Sequence, residues 1–360
     1  MNRAALAARL FMVVALLPAI GAASFAAYMY HAQPPVPPVT YRQGQSAPQI
    51  AGTPTKEGFL LGAYAPSAVR KPRRGVKVPA GADTKGLKLF NSEVGTPATL
   101  TVQYALWGKF FPARYVIDAA MLGAETIVEL EPRGKSAPTL AGIAAGAGDA
   151  WLKKFAHEIV GPRDHFILSF APEMNGAWYQ YGSGHVPPGD YVQAFRHVHD
   201  VLVEDLTRDK AANLISFMWQ PSAMHISTPT PRPYWPGARY VDEIGLDGYY
   251  FFPTDTFRII FGQTLRLLKS IAPHTPILIG ETAVGPRTGH QAADIKDLFR
   301  GIHRNKLLGL IWFDKRQNRH PFIYHQDWHL KDHPAALASF LEALASAGPI
   351  ASFARRNLPG

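Results

Sequence analysis

From residue 58 the chain alternates short, almost wholly apolar runs with longer stretches in which apolar residues recur every three or four positions. The short runs are FLLGAYAP (59–66), ATLTVQYAL (98–106), ETIVELEP (125–132), HFILSFAPE (165–173), NLISFMWQP (213–221), VDEIGLDGYYFF (241–252), PILIGETAV (276–284) and LLGLIWFDKR (307–316). Apolarity that continuous predicts strands buried on both faces, the pattern of a parallel sheet. Helical spacing fills most of the gaps, as in AGDAWLKKFAHEIVG, DYVQAFRHVHDVLVEDL, FRIIFGQTLRLLKSIA and AADIKDLFRGIHRN, and PAALASFLEALASAG closes the series. Asp190 is expected to cap the helix behind Pro187-Pro188-Gly189. Eight strands mostly alternating with helices predict an α/β fold closed as a (β/α)8 TIM barrel. An open doubly wound sheet is the alternative, but no glycine-rich phosphate loop follows the first run.

The first 57 residues follow a different pattern. Asn2, Arg3 and Arg9 precede an uncharged run from Leu10 to Tyr30. With small residues at Gly21-Ala22-Ala23 it reads as a signal peptide. At ~1.5 Å per residue it is also long enough for an uncleaved membrane anchor, with the rest of the chain outside. Either reading places the protein outside the cytoplasm, at the periplasmic face of the inner membrane or secreted. Residues 31–57, rich in Pro, Gln, Ser, Gly and Thr, read as a linker. The expected organisation is therefore 1–30 signal peptide or anchor, 31–57 Pro-rich linker and 58–360 barrel.

Composition narrows the chemistry. The 360 residues include no cysteine, which excludes disulfides, thiolate metal sites and a cysteine nucleophile. The formal net charge is +10. Part of it lies in RKPRRGVK (70–77), read as a solvated loop beside an anionic bilayer or as a docking patch for an acidic polysaccharide. No nucleic-acid motif accompanies the charge, so no nucleic-acid partner is expected. His325 and His329 stand four apart without an H-E-x-x-H string, and neither a metal nor another cofactor is expected.

In such a barrel, chemistry sits at the C-terminal ends of the strands. Those ends carry Glu129 and Glu131 in the third run, Glu173 and Asn175 at the fourth, and Trp219 and Gln220 at the fifth. The sixth offers Asp247, Tyr249 and Tyr250, the seventh Glu281, and the eighth Trp312 and Asp314. Glu173 and Glu281 thus close two apolar strands across one mouth, with Trp107, Trp178, Trp219, Trp235 and Trp312 at strand ends or in loops. Sugar rings stack their C–H faces on such aromatics while their hydroxyls seek polar partners; for any single tryptophan, core packing is the competing role.

PEMNGAWYQYG, then GLDGYY, then LIGET, in that order, resembles glycoside hydrolase family 26, whose members include β-mannanases, some β-glucanases and β-1,3-xylanases. The resemblance runs with gaps from about Gly58 to about Trp328. It implies that Glu173 is the general acid/base, Glu281 the nucleophile and Tyr249 the hydroxyl that orients it. It further implies sugar contacts from Asp247, Trp178 and Trp312, with Asn175, Trp107 and Trp219 as additional binding candidates. Mannanases of the family carry a histidine just before the acid/base, whereas this chain has Pro172, a departure that bears on mannan specificity.

The expected activity is retaining, endo-acting hydrolysis of internal β-linkages in a β-mannan, a β-glucan or a bacterial exopolysaccharide. The two carboxyls are then expected about 5–5.5 Å apart. A non-catalytic or transglycosylating barrel that works with inner-membrane polysaccharide synthesis and export machinery is the alternative.

Overall fold

In the computed structural model of the chain, residues 58–66, 83–225, 228–317 and 325–351 are described. They belong to the second of two units, Met1–Ser46 and Ala47–Gly360. Eight parallel strands close a barrel in chain order: β1 (Leu60–Tyr64), β2 (Leu100–Leu106), β3 (Glu125–Glu131), β4 (Phe166–Phe170), β5 (Ile215–Trp219), β6 (Glu243–Asp247), β7 (Ile277–Thr282) and β8 (Gly309–Phe313). Each lies within a run expected from the sequence, so the closed barrel prevails over the open sheet.

The surrounding helices are α1 (Lys85–Val94), α2 (Ala113–Met121), α3 (Leu140–Ala144), α4 (Asp149–Val160), α5 (Pro188–Arg208), α6 (Phe257–Ile260), α7 (Gly262–Ile271), α8 (Gln291–Asn305) and α9 (Pro334–Ser346). The sequence reading did not include α1 or α3. It also treated α6 and α7 as one helix, whereas the structure divides them at Phe261. A two-stranded ribbon, β9 (Arg316–Gln317) with β10 (Gln326–Asp327), follows the barrel. Asp190 is not the cap of α5: the helix begins at Pro188, whose fixed φ suits that position, and Asp190 lies in the first turn. His325 and His329 share no helix face, because β10 begins just after the first of them.

The expectation of an N-terminal membrane anchor, with partners and localisation at the inner membrane, is withdrawn. Among the described residues no helix is long and apolar enough to cross a membrane. The Leu10–Tyr30 run itself, the 31–57 linker and the basic 70–77 loop lie outside the described residues.

Two apolar layers hold the fold. Between barrel and helices runs the larger, with Phe90, Phe155, Phe195, Phe261 and Phe340 fully buried. The smaller fills the barrel with Leu60, Leu100, Val102, Ile127, Ile167, Met218, Leu278 and Ile311. Ala351 joins this inner layer, and its N–H bonds the Phe59 carbonyl at 2.9 Å.

Side chains alternate along a strand, so the next inward position toward each C-terminal end forms a second layer. Two residues past Gly62, itself two past Leu60, comes Tyr64; past Val102, Tyr104; past Ile127, Glu129 and then Glu131; past Met218, Gln220. An apolar plug therefore carries a polar layer, and that layer is the floor of the mouth.

One strand breaks the alternation. On β7, Leu278 and Gly280 point inward by parity, which should turn Glu281 outward. The register explains why it does not. Gly245 pairs with Leu278 but Asp247 with Glu281; on the other side Ile279 pairs with Leu310 but Thr282 with Trp312. Against both neighbours β7 carries one extra residue, a bulge that returns Glu281 to the interior. Gly280 permits this, since a Cβ there would stand 2.7 Å from Asp247 Oδ1.

Candidate active site

Glu281 is the best-held acid of the mouth. Tyr104 Oη donates to its Oε1 from β2, and Tyr249 Oη donates to its Oε2 at 2.5 Å. Tyr249 is itself stacked on Trp328, with ring centroids 4.9 Å apart. Burial raises the Glu281 pKa above the ordinary carboxylate value, and the two tyrosine hydroxyls and the Lys315 charge oppose that rise. Tyr104 carried no role in the sequence reading. Its signal was present, because it stands two residues past inward-facing Val102.

Loss of either hydroxyl removes a stabiliser of the ionised form. Tyr104→Phe and Tyr249→Phe are each expected to move the Glu281 pKa further up, shifting the acidic limb of kcat/KM by roughly 0.5–1 pH unit. Each is also expected to lower kcat/KM roughly 10- to 100-fold at neutral pH. Rate profiles between pH 4 and 8 provide the measurement; a downward shift of the limb would contradict the assignment.

Glu173 lies three residues past β4, on a backbone forced out of the strand. Ala171 has φ +50° and Glu173 φ +54°, both left-handed and neither glycine. Such residues cost on the order of 1–3 kcal/mol each and persist only where the surroundings over-determine them. Here the Ala171 N–H reaches Leu130 O at 2.9 Å, the Glu173 N–H reaches Gln220 O at 2.7 Å, and Tyr181 Oη reaches Pro172 O at 3.1 Å. Trp178 Nε1 donates to Glu173 Oε2 at 2.8 Å. The Trp178 side of Gly176 is so close that a Cβ on the glycine would meet the indole at 2.3 Å. Half of Trp178 remains exposed, leaving an aromatic face open to solvent beside the acid.

Beneath the two acids lies a second pair. Gln220 Nε2 donates to Glu129 Oε1 at 2.8 Å and to Asp247 Oδ1 and Oδ2 at 3.2 and 3.1 Å. Burial holds both carboxyls well above their usual range, the Glu281 charge adds to it, and the Gln220 amide opposes it. The native state therefore keeps protons that the unfolded chain has already released. Stability must fall as pH rises from the ordinary carboxylate pKa through the folded one. Glu129→Gln keeps the oxygen that accepts from Gln220 and removes the ionisation. Its melting temperature is expected to exceed wild type by roughly 3 °C at pH 8 and to match it near pH 4. Calorimetry at the two pH values checks this.

Several expected sugar contacts sit elsewhere. Asn175 is fully buried; its amide donates to Ser222 O (2.8 Å) and Pro229 O (3.0 Å) and accepts from Ser222 N (2.9 Å), so it ties two loops together. Trp107 is buried against Trp151, Trp219 against Trp235, and Trp312 is fully buried with its Nε1 bonded to Trp328 O at 3.0 Å. None of these three rings offers an open face; they belong to the apolar layer between barrel and helices. Tyr250 is buried as well. Asp314 accepts from the Leu330 N–H at 3.1 Å, and burial pushes its carboxyl up to about 6. Asp247 is in the mouth but beneath Glu281, bound to Gln220. Among the described residues the exposed aromatics that follow barrel strands are Trp178 after β4, Phe110 after β2 and Phe252 after β6.

Among the described residues one cluster has metal-ligand spacing: Asp327, His329 and Asp332. Arg316 pairs with both aspartates.

Residues 156–272 match the family model for glycosyl hydrolase family 26. That stretch holds Glu173, Gln220, Asp247 and Tyr249 and ends before Glu281. Endoglucanase H of Acetivibrio thermocellus is 25% identical over 292 residues, 76% of this chain and 31% of the relative. A mannan endo-1,4-beta-mannosidase of Bacillus subtilis is 24% identical over 168 residues, 44% of this chain and 42% of the relative. The matched stretches thus span less than half the length of these curated relatives. A modular endo-beta-1,4-mannanase from Cellulomonas fimi superposes with a TM-score of 0.58 at 16% identity, covering 81% of this chain and 71% of that one. At that identity the likeness establishes the fold. The closed barrel, the order of its motifs and the matched stretch agree in making this barrel similar to those of glycosyl hydrolase family 26.

Proposed function

We propose that the chain is a retaining endo-glycosidase that cleaves internal β-linkages of a polysaccharide, with Glu281 as nucleophile and Glu173 as acid/base. The observation that carries this is the unequal treatment of the two acids. Glu281 has both oxygens held by tyrosine hydroxyls, which favours the ionised, aligned form a nucleophile needs. Glu173 Oε2 instead accepts from the Trp178 indole, a ring half exposed at the mouth, which sets this acid where a leaving oxygen can reach it.

In the first step a Glu281 oxygen attacks the anomeric carbon. The glycosidic bond breaks and Glu173 delivers its proton to the leaving oxygen. The product is a glycosyl ester on Glu281. In the second step Glu173, now ionised, takes a proton from water; the water oxygen attacks the anomeric carbon, and Glu281 leaves as carboxylate. Trp178 offers an apolar ring for a sugar face beside the bond being broken. Tyr104 and Tyr249 recover the full charge of Glu281 when the ester is hydrolysed.

The relatives point to two polymer classes, a β-glucan and a β-1,4-mannan. Pro172, standing where the family's mannanases carry a histidine, favours the glucan side. The test is incubation with β-mannan, mixed-linkage β-glucan and β-xylan, reading new reducing ends and the anomer first formed. Early release of internal fragments as the β-anomer is expected. First formation of the α-anomer would mean inversion and remove Glu281 from the nucleophile role.

A further inference from the structure

On the barrel flank, α7 and α8 leave a groove with a cavity volume of about 310 Å³. Four cations line it: Arg258, Arg266 and Lys269 from the α6–α7 side and Arg304 from α8. Asp297 is the one acid in that lining, and it is already engaged: its Oδ2 accepts the Phe257 N–H at 2.7 Å. Neither Arg258, Arg266 nor Arg304 has an acidic partner within 4 Å among the described residues. Lys269 Nζ donates to the Asn305 carbonyl at 3.1 Å, at the end of α8.

The cations form a track. Positions 258, 266 and 269 succeed one another along α6 and α7. Gly262 lies between the first two and exposes bare backbone. A Cβ there would lie 3.5 Å from Arg258 Cγ and 3.7 Å from Arg266 Nη1, so both arginines close over the same stretch of floor. Arg304 also lines the neighbouring groove between α8 and α9, beside Lys296, Arg300 and His303. There Lys296 is paired with Glu342 at 2.7 Å, which makes the α7–α8 groove the less compensated of the two.

We infer that this groove is a docking site for an acidic polysaccharide, a chain bearing carboxylates that lies along the flank outside the catalytic mouth. Arginine forks match carboxylates in pairs. A row of exposed cations along a groove between two helices suits a linear polyanion, whose carboxylates can follow the row. The groove begins at α6, directly behind the loop that carries Phe252 at the mouth. The proposed activity contributes to this inference only in making the polyanion a polysaccharide; the docking itself requires no cleavage.

The test is calorimetric titration of the full chain with sodium polygalacturonate, against neutral dextran of similar length, at low and at 300 mM salt. Saturable binding of the polyuronate that weakens with salt is expected, with none to dextran. The triple variant Arg258→Ser/Arg266→Ser/Arg304→Ser should weaken it roughly tenfold or more. The charge-matched variant Lys88→Ser/Lys135→Ser/Lys153→Ser should change it less than about twofold. All six positions are exposed, and thermal melts confirm the fold of both variants. Absence of binding overturns the inference, and so does equal loss in both variants. Tighter binding to phosphatidylglycerol vesicles than to polyuronate would assign the groove to a membrane surface instead. Failure of every polymer to be cleaved would strike the proposed activity and leave these outcomes unchanged.

Discussion

Replacing Glu281 by Gln is expected to lower polysaccharide cleavage by roughly four orders of magnitude or more, the largest effect any single residue of the mouth should produce. The amide is nearly the same size; its oxygen can still accept from one of the two tyrosines and its NH2 can donate to the hydroxyl oxygen of the other, so the fold and the mouth should persist. What it lacks is the charged oxygen that attacks the anomeric carbon. A smaller side chain makes the test sharper. In Glu281→Gly the vacated space admits azide, which approaches from the same face. Azide should restore turnover of an aryl glycoside with a good leaving group and yield the α-glycosyl azide, since one displacement now replaces two. Retained activity in Glu281→Gln, or a β-azide from the glycine variant, would remove Glu281 from the proposed role.

Glu173→Ala is expected to behave differently according to the leaving group. On a polysaccharide the leaving alkoxide needs a proton, and the loss should be roughly 10²- to 10⁴-fold. On a dinitrophenyl glycoside it needs none. The first step should then remain fast, and the glycosyl ester should accumulate as a burst, because no base activates water in the second. Azide needs no base and should relieve that block, giving the β-glycosyl azide after two displacements. The alkaline limb of the kcat/KM profile should also disappear. If polysaccharide and activated substrate lose rate equally, Glu173 serves the fold and not proton transfer. The two azide products, of opposite configuration, distinguish the acids independently of any rate.

How much of this was legible beforehand depended on what each residue answers to. Strand positions answer to local apolarity, so all eight strands could be read from runs such as FILSF and LIGET. The short α3 and the break at Phe261 were not legible, since four or five residues carry too little periodicity to separate a helix from a loop. Glu173 and Glu281 stood out as acids closing apolar strands. Tyr104 lay inside its own strand, and only parity from Val102 reveals that it points to the mouth. Trp312 and Trp219 misled for the opposite reason: residue type and strand-end position suit a sugar platform, but burial is decided by neighbours such as Trp328 and Trp235 that are distant in sequence. Asn175 likewise had the right chemistry for a ligand, and its bonds to residues 222 and 229 could not be read from PEMNG.

The left-handed backbone at residue 173 has a consequence for how such a barrel changes over generations. A glutamate at φ +54° is held where glycine or asparagine would rest more easily, so at that position stability and chemistry select opposite residues. Glu173→Gly should lose polysaccharide cleavage as the alanine variant does and yet melt no lower than the parent. A lineage that no longer needed the reaction would therefore have an open downhill route away from glutamate, with no penalty to the fold to slow it. Drift at this one codon, more than at any residue of the core, would record when a descendant barrel ceased to act on sugars.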